Sequence, residues 1–206
     1  MAQRRVLVVG VDGLRPDVIP LAHTPAIDSL IAEGAWSLRA QTQKGGKTVS
    51  GPGWASMLTG VDVAKHRVED NHDDYGRMDR RYPSFLTRAQ DLLGLKTMLL
   101  AGWHDLLHIV AQRGQGLDVY GEDADNTDSA EYHLHHGDFA LTFVHLDDVD
   151  GAGHAHGFAS DSAPYLRAVE AADRAIGRML AAIEARATID QECWLRVLSS
   201  DHGGSG

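Results

Sequence analysis

Three short segments of this chain bring acidic and imidazole side chains together, each directly after an apolar run. Asp12-Gly13 follows Val6 to Val11, the stretch from Asp147 to His154 follows Phe139 to Leu146, and Asp201-His202 follows Cys193 to Leu198. Asp150 and His154 stand four residues apart in Asp-Gly-Ala-Gly-His, read as a glycine-rich loop that lets both side chains meet one ion. Carboxylate oxygen together with imidazole nitrogen suits zinc, with manganese as the alternative. Asp201-His202 offers the same ligand pair on adjacent residues, and Asp12 adds a third carboxylate. His156 is a further candidate ligand. Asp147 and Asp148 are adjacent, so in extended backbone they point apart; they read as solvated loop residues, with orientation of a ligand as the other role. One Asp after a strand is usually a turn residue or a helix cap. Three such groups at three strand ends point to a metal site.

A second kind of chemistry is offered by Thr48-Val49-Ser50-Gly51-Pro52-Gly53-Trp54, which places two hydroxyls just before a helical run. On spacing alone such a hydroxyl is a helix cap. To act as a nucleophile it needs activation, which metal coordination provides, while a helix N-terminus favours an attached phosphoryl group.

These groups must be positioned by the elements around them. Val6 to Val11 reads as a buried strand with Asp12-Gly13 as its exit. Thr24-Pro25, followed by Ile27, Leu30 and Ile31, predicts a capped helix with Pro in its first turn, ending at Gly34. Residues 43–53 read as a loop leading into a helix over Trp54 to Leu58. Phe85 to Leu93 reads as a helix stopped by Gly94, and Lys96 to Ala101 as the next strand. Residues 111–130 are polar and read as a long loop or a shortened connection. Phe139 to Leu146 reads as a strand. Asp161 to Arg186 is the clearest helix, with Leu166, Val169, Ile176, Leu180 and Ile183 on one face. Cys193 to Leu198 is the last strand. Strands alternating with helices predict an α/β fold, a mainly parallel sheet with helices on both faces. Ligands of such sheets bind outside the carboxyl ends of the strands, where the Asp and His groups lie.

Bulk properties are ordinary for a globular protein. With 206 residues, the chain is expected to form a single domain over 1–206. Its net charge of -10 argues against a nucleic-acid surface, though bound cations reverse the local field for a phosphate substrate. The chain has no apolar run of membrane-spanning length and no signal-peptide pattern. Its single cysteine, Cys193, is read as core. These points lead to the expectation of a cytoplasmic protein. Of the 12 histidines, His133, His135 and His136 are expected to be simply exposed.

The motifs, taken in order, resemble those of type I phosphodiesterases and nucleotide pyrophosphatases, a branch of the alkaline phosphatase superfamily. Val11 to Asp17 resembles the opening motif. Ser50-Gly51-Pro52 and the run from Trp54 to Gly60 resemble the nucleophile helix. His66 to Asn71, Asp150 to Gly157 and Ser200 to Gly203 resemble the remaining three motifs. The resemblance implies one metal held by Asp12, Asp201, His202 and Ser50, and a second held by Asp150 and His154. It places Ser50 at the nucleophile, with Thr48 as the alternative, and Asn71 on a phosphoryl oxygen beside the nucleophile's backbone N–H. The implied reaction is a two-step in-line displacement through a phosphoseryl intermediate, clamped by two divalent ions and acting on a small phosphoester.

Three departures qualify the resemblance. Arg67 stands where the family has Gly. Gly53 and Trp54 replace the Ser and Arg of the sulfatase branch, which argues against a formylglycine nucleophile. The family's further metal-ligating His has no counterpart before Gly206, so the last part of the sheet is expected to be missing. Besides a phosphomonoesterase or phosphodiesterase, the same scaffold allows a sulfatase-like or phosphonate hydrolase, and an incomplete second site allows a metal-binding chain without activity.

Overall fold

The structure is a computed structural model describing residues 2–41, 48–71, 75–110 and 116–204. Part of the loop expected over 43–53, residues 43–47, lies outside the described residues, as do 111–115 and the last two glycine-serine positions of the chain.

Five strands form one parallel sheet: β1 (Gln3–Val11), β2 (Thr97–Ala101), β3 (Gly116–Tyr120), β4 (Leu141–Leu146) and β5 (Glu192–Ser199), in the order β3-β2-β4-β1-β5. Helices fill both faces, as parallel sheets require. The side-chain alternation of the strands separates two cores. Leu7, Val9 and Val11 of β1 join Val144 and Leu146 of β4 on one face. They pack against α1 (Pro25–Glu33), α6 (Asp123–His136) and the long α8 (Ala163–Glu184). Val8, Leu99, Ala101 and Phe143 point to the other face, under α2 (Ser50–Thr59), α4 (Phe85–Leu93) and α5 (Asp105–Val110). Two further α-helices lie in the connections: α3 (Val63–His66) after α2, and α7 (Asp148–His156) just after the carboxyl end of β4.

The sheet, its parallel sense and its two-sided cover agree with the sequence expectation. Several elements differ. The polar stretch expected to be loop holds β3 and most of α6. β3 alternates between half-buried and exposed because it is an edge strand, and the buried positions of α6 include Asn126 and Thr127, so apolar periodicity is weak in both. The loop expected at Asp150 to His154 is helix α7. Its first two amides, Asp147 and Asp148 N–H, donate to the Asp123 carboxylate at 2.8 and 2.9 Å, a cap supplied by another helix. α1 is capped in the same way, by Asp173 of α8 accepting from Ala26 and Ile27 N–H rather than by Thr24.

Cys193 is exposed, not core, because β5 is the other edge of the sheet and its outer positions Cys193, Leu195 and Val197 face outward. His136 is exposed as expected, while His133 and His135 are half-buried. Among the described residues, no helix is long and apolar enough to cross a membrane.

Candidate active site at the carboxyl edge of the sheet

Three chain segments leave the sheet next to one another. Asp12 follows β1, and its N–H still donates to Leu146 O, so β4 holds it in register. Asp201 and His202 follow β5, the other neighbour of β1. Asp201 Oδ1 accepts from Gly13 N–H at 3.4 Å, which ties the two exits together. Ser50 opens α2 on the face above them. The helix therefore begins at Ser50, four residues earlier than the sequence pattern predicts. α2 packs closely here: a Cβ at position 53 would lie 3.0 Å from both Cβ and the carbonyl oxygen of Asp201, tighter than ordinary contact.

The resulting cluster is buried. Asp12, Ser50, Asp201 and His202 are 1, 6, 2 and 6% exposed. Ser50 Oγ donates to Asp12 Oδ1 at 3.3 Å and lies 3.3 Å from His202 Nε2. His202 Nε2 is 3.2 Å from Asp12 Oδ1, 3.4 Å from Asp201 Oδ2 and 3.9 Å from Asp150 Oδ1. Burial disfavours charge on Asp12, but hydrogen bonds to His145 and His202 outweigh it and hold its carboxyl far below the usual range. Asp201 and Asp150 are pushed up, first by burial and then by the charge on Asp12. Burial lowers His202, yet its bond to Asp12 raises it overall.

Two members of this environment, His145 and Trp54, are not among the candidate site residues read from the sequence. His145, on β4, is fully buried and sets Nε2 3.2 Å from Asp12 Oδ2. Trp54 donates from Nε1 to the same oxygen at 2.8 Å. The one available clue was a lone imidazole inside the apolar run Phe143-Val144-His145-Leu146. Asp147 is also not a solvated residue: half-buried behind Asp12, it is pushed up to about 6 by burial and by the charges of Asp12, Asp123 and Asp150. Asp148 is exposed, as expected.

Asp150 and His154 meet differently. They lie one turn apart on α7, with His154 Nε2 3.2 Å from Asp150 Oδ2. The His154 side chain is 73% exposed. His156 is exposed. Among the described residues, Asp12, Asp201 and His202 offer ligand atoms within 4.8 Å of one another, as do Asp12, His145 and Asp147; no such group of three contains Asp150 and His154. Phe158 packs against the backbone near both ligand sets. A Cβ added to Gly153, beside His154, or to Gly204, two residues after His202, would fall 2.2 Å from its ring.

Asn71 sits across from the helix start. Gly51 N–H donates to Asn71 Oδ1 at 2.7 Å, so the Asn71 amide nitrogen is left as a donor. His66 is structural: it is fully buried, accepts from Val68 N–H at Nδ1, and meets Ser56 Oγ at 2.9 Å through Nε2. Arg67, in the family's Gly position, has φ 64°, the left-handed region that glycine enters without penalty. Thr48, the alternative hydroxyl, is exposed two residues before α2.

Solved structures share this architecture. An inactive variant of murine ectonucleotide pyrophosphatase/phosphodiesterase 5, in complex with AMP, superposes with a TM-score of 0.75 at 19% identity, over 97% of this chain and 57% of its own. A 2-O GAG sulfatase gives 0.73 at 12% identity, over 98% and 58%. Phosphonoacetate hydrolase from Sinorhizobium meliloti, in complex with phosphonoformate, gives 0.69 at 15% identity, over 98% and 57%. The chain therefore spans little more than half the length of these proteins. No curated protein matches it in sequence. The sequence model of the type I phosphodiesterase/nucleotide pyrophosphatase family matches residues 6–105 and 95–206. With nearly its whole length matched, the chain belongs to the type I phosphodiesterase/nucleotide pyrophosphatase family, on an alkaline phosphatase-like α/β fold.

Proposed function

We propose that this chain hydrolyses phosphoric mono- or diesters with Ser50 as nucleophile, acting as a single domain with two divalent cations. The observation that carries this reading is Ser50 Oγ, held 3.3 Å from both Asp12 Oδ1 and His202 Nε2 at the first turn of a helix. The donor set fits a cation. Three carboxylates crowd one imidazole, and Asp201 Oδ2, Asp150 Oδ1 and His202 Nδ1 are buried without hydrogen-bond partners. Buried polar atoms of native proteins are otherwise nearly all satisfied. Asp12, Ser50, Asp201 and His202 would hold one cation, and Asp150 and His154 would contribute to holding the second. Their nitrogen and oxygen atoms suit zinc, with manganese as the alternative. Bound cations lower the pKa of a serine hydroxyl and offset charge on phosphoryl oxygens.

The protein's own groups do the rest. Ser50 gives up its hydroxyl proton, and Oγ bonds to phosphorus as the ester P–O bond breaks; the departing oxygen gains a proton and leaves as the alcohol. Water then cleaves the phosphoseryl bond, releasing phosphate, or a monoester from a diester, and regenerating the hydroxyl. The Asn71 amide nitrogen and the Ser50 backbone N–H, at the start of α2, face the phosphoryl oxygens in this reading and stabilise the transition state. Nitrophenyl phosphate and bis-nitrophenyl phosphate test the reading: zinc-dependent release of nitrophenol is expected, reduced at least about 1000-fold in Ser50→Ala. Full activity in that variant would refute the nucleophile, and a rate indifferent to chelator would refute the cations.

A further inference from the structure

Asp12 is gripped from behind. Its Oδ2 accepts the indole N–H of Trp54 at 2.8 Å and lies 3.2 Å from His145 Nε2. Its Oδ1 points the other way, toward Ser50 Oγ and His202 Nε2 at 3.3 and 3.2 Å. The carboxylate oxygen only accepts, so His145 serves it as a donor from Nε2, and the indole can do nothing but donate. Neither group yields easily. Trp54 and His145 are both fully buried, and their rings meet edge to face at 4.8 Å. Phe143, two residues before His145 on the same face of β4, supports the indole from a second side at 5.8 Å.

We propose that Trp54 and His145 are positioning residues that occupy one oxygen of Asp12, so that this carboxylate meets the nucleophile and its cation through Oδ1 alone. The inference rests on the reading of Asp12, Ser50, Asp201 and His202 as a cation site. Two donors on Oδ2 stop the carboxylate from turning about its last torsion to chelate with both oxygens. They also keep Oδ1 directed at Ser50, coupling the place of the cation to the place of the nucleophile. Such outer partners are typically worth about 10- to 100-fold in metal affinity.

Cobalt binding to the 206-residue chain, followed by its visible absorption, reads the coordination directly and without turnover. Trp54→Phe keeps an aromatic ring and removes the N–H; His145→Phe removes the other donor; His145→Gln restores an N–H. Trp54→Phe and His145→Phe are expected to weaken cobalt binding roughly 10- to 100-fold and to shift the spectrum, and His145→Gln to recover most of both. Wild-type affinity and spectrum in the two Phe variants would overturn the inference. Asp12→Ala separates the two levels. If it loses cobalt while the Phe variants do not, only the positioning role fails; if the wild-type chain binds no cobalt, or Asp12→Ala binds it unchanged, the cation site itself fails. Near-ultraviolet circular dichroism reports whether each variant is folded, and should Trp54→Phe not fold, the His145 pair decides.

Discussion

The two candidate ligand sets are held in opposite ways. Asp12, Ser50, Asp201 and His202 come from separate segments, two of them strand exits, and every one is nearly inaccessible. Asp150 and His154 come from successive turns of one helix, and His154 reaches out into solvent. The first set is placed by the packing of two cores on one sheet and has little freedom to adjust. The second is placed by helical geometry, with a side chain that can still turn. A buried cluster would select an ion by a shape fixed in advance, whereas a helix pair would accept one with less commitment.

Zinc content should expose this contrast most clearly. Asp201→Asn is expected to weaken binding at the buried cluster on the order of 100- to 1000-fold, about one ligand's share of a structural zinc site. His154→Ala should leave that zinc in place and lose only the weaker equivalent, as equilibrium dialysis would show. Equal losses in the two variants would erase the distinction. Next in size, Asn71→Ala removes a donor from neither ligand set. Turnover of a nitrophenyl ester should fall about 100-fold with zinc content unchanged, and a loss of zinc would mean that Asn71 supports the helix start rather than the phosphoryl group.

Asp147 lies between the sets and responds to both. Its carboxyl is raised from 3.8 to about 6, so in the metal-free chain the folded state keeps a proton that the unfolded state has already released. Its contribution is therefore most favourable at low pH and is lost as pH rises from near 4 through about 6. Asp147→Asn should raise stability by roughly 1–2 kcal/mol at pH 7.5, after allowance for partial exposure, and leave it unchanged at pH 4. Denaturant melts at the two pH values check this. The smallest effect is expected far from either set: Arg67→Gly relieves a left-handed residue and should stabilise by about 0.5–1 kcal/mol with no change in metal binding or rate. Destabilisation would show that the exposed Arg67 side chain carries a contact of its own.

What could be read in advance followed from local signals. Short apolar runs ending in Asp or His marked β1, β4 and β5 and the edge where their side chains meet, and Gly94 marked the end of α4. The features that escaped depend on partners distant in the chain. Nothing near Asp148 announces a helix, since Gly151 and Gly153 are poor helix formers, and its cap comes from Asp123 on α6. α1 likewise takes its cap from Asp173, well over a hundred residues away. Asn126 and Thr127 on the buried side of α6 mask its period. Cys193 was misplaced because an edge strand and an interior strand look alike until the order of the sheet is known. His145 and Trp54 belong to no ligand pattern; they matter only because β4 lies beside β1 and α2 lies above both.

The ring of Phe158 has a consequence for the backbone around it. Gly153 on α7 and Gly204 after Asp201-His202 both press against it, and a Cβ at either position would fall 2.2 Å from the ring. One aromatic side chain therefore fixes the residue type at two places in separate segments, each within two residues of a candidate ligand. It acts as a template: its shape alone, independent of any charge, dictates how closely each backbone can approach.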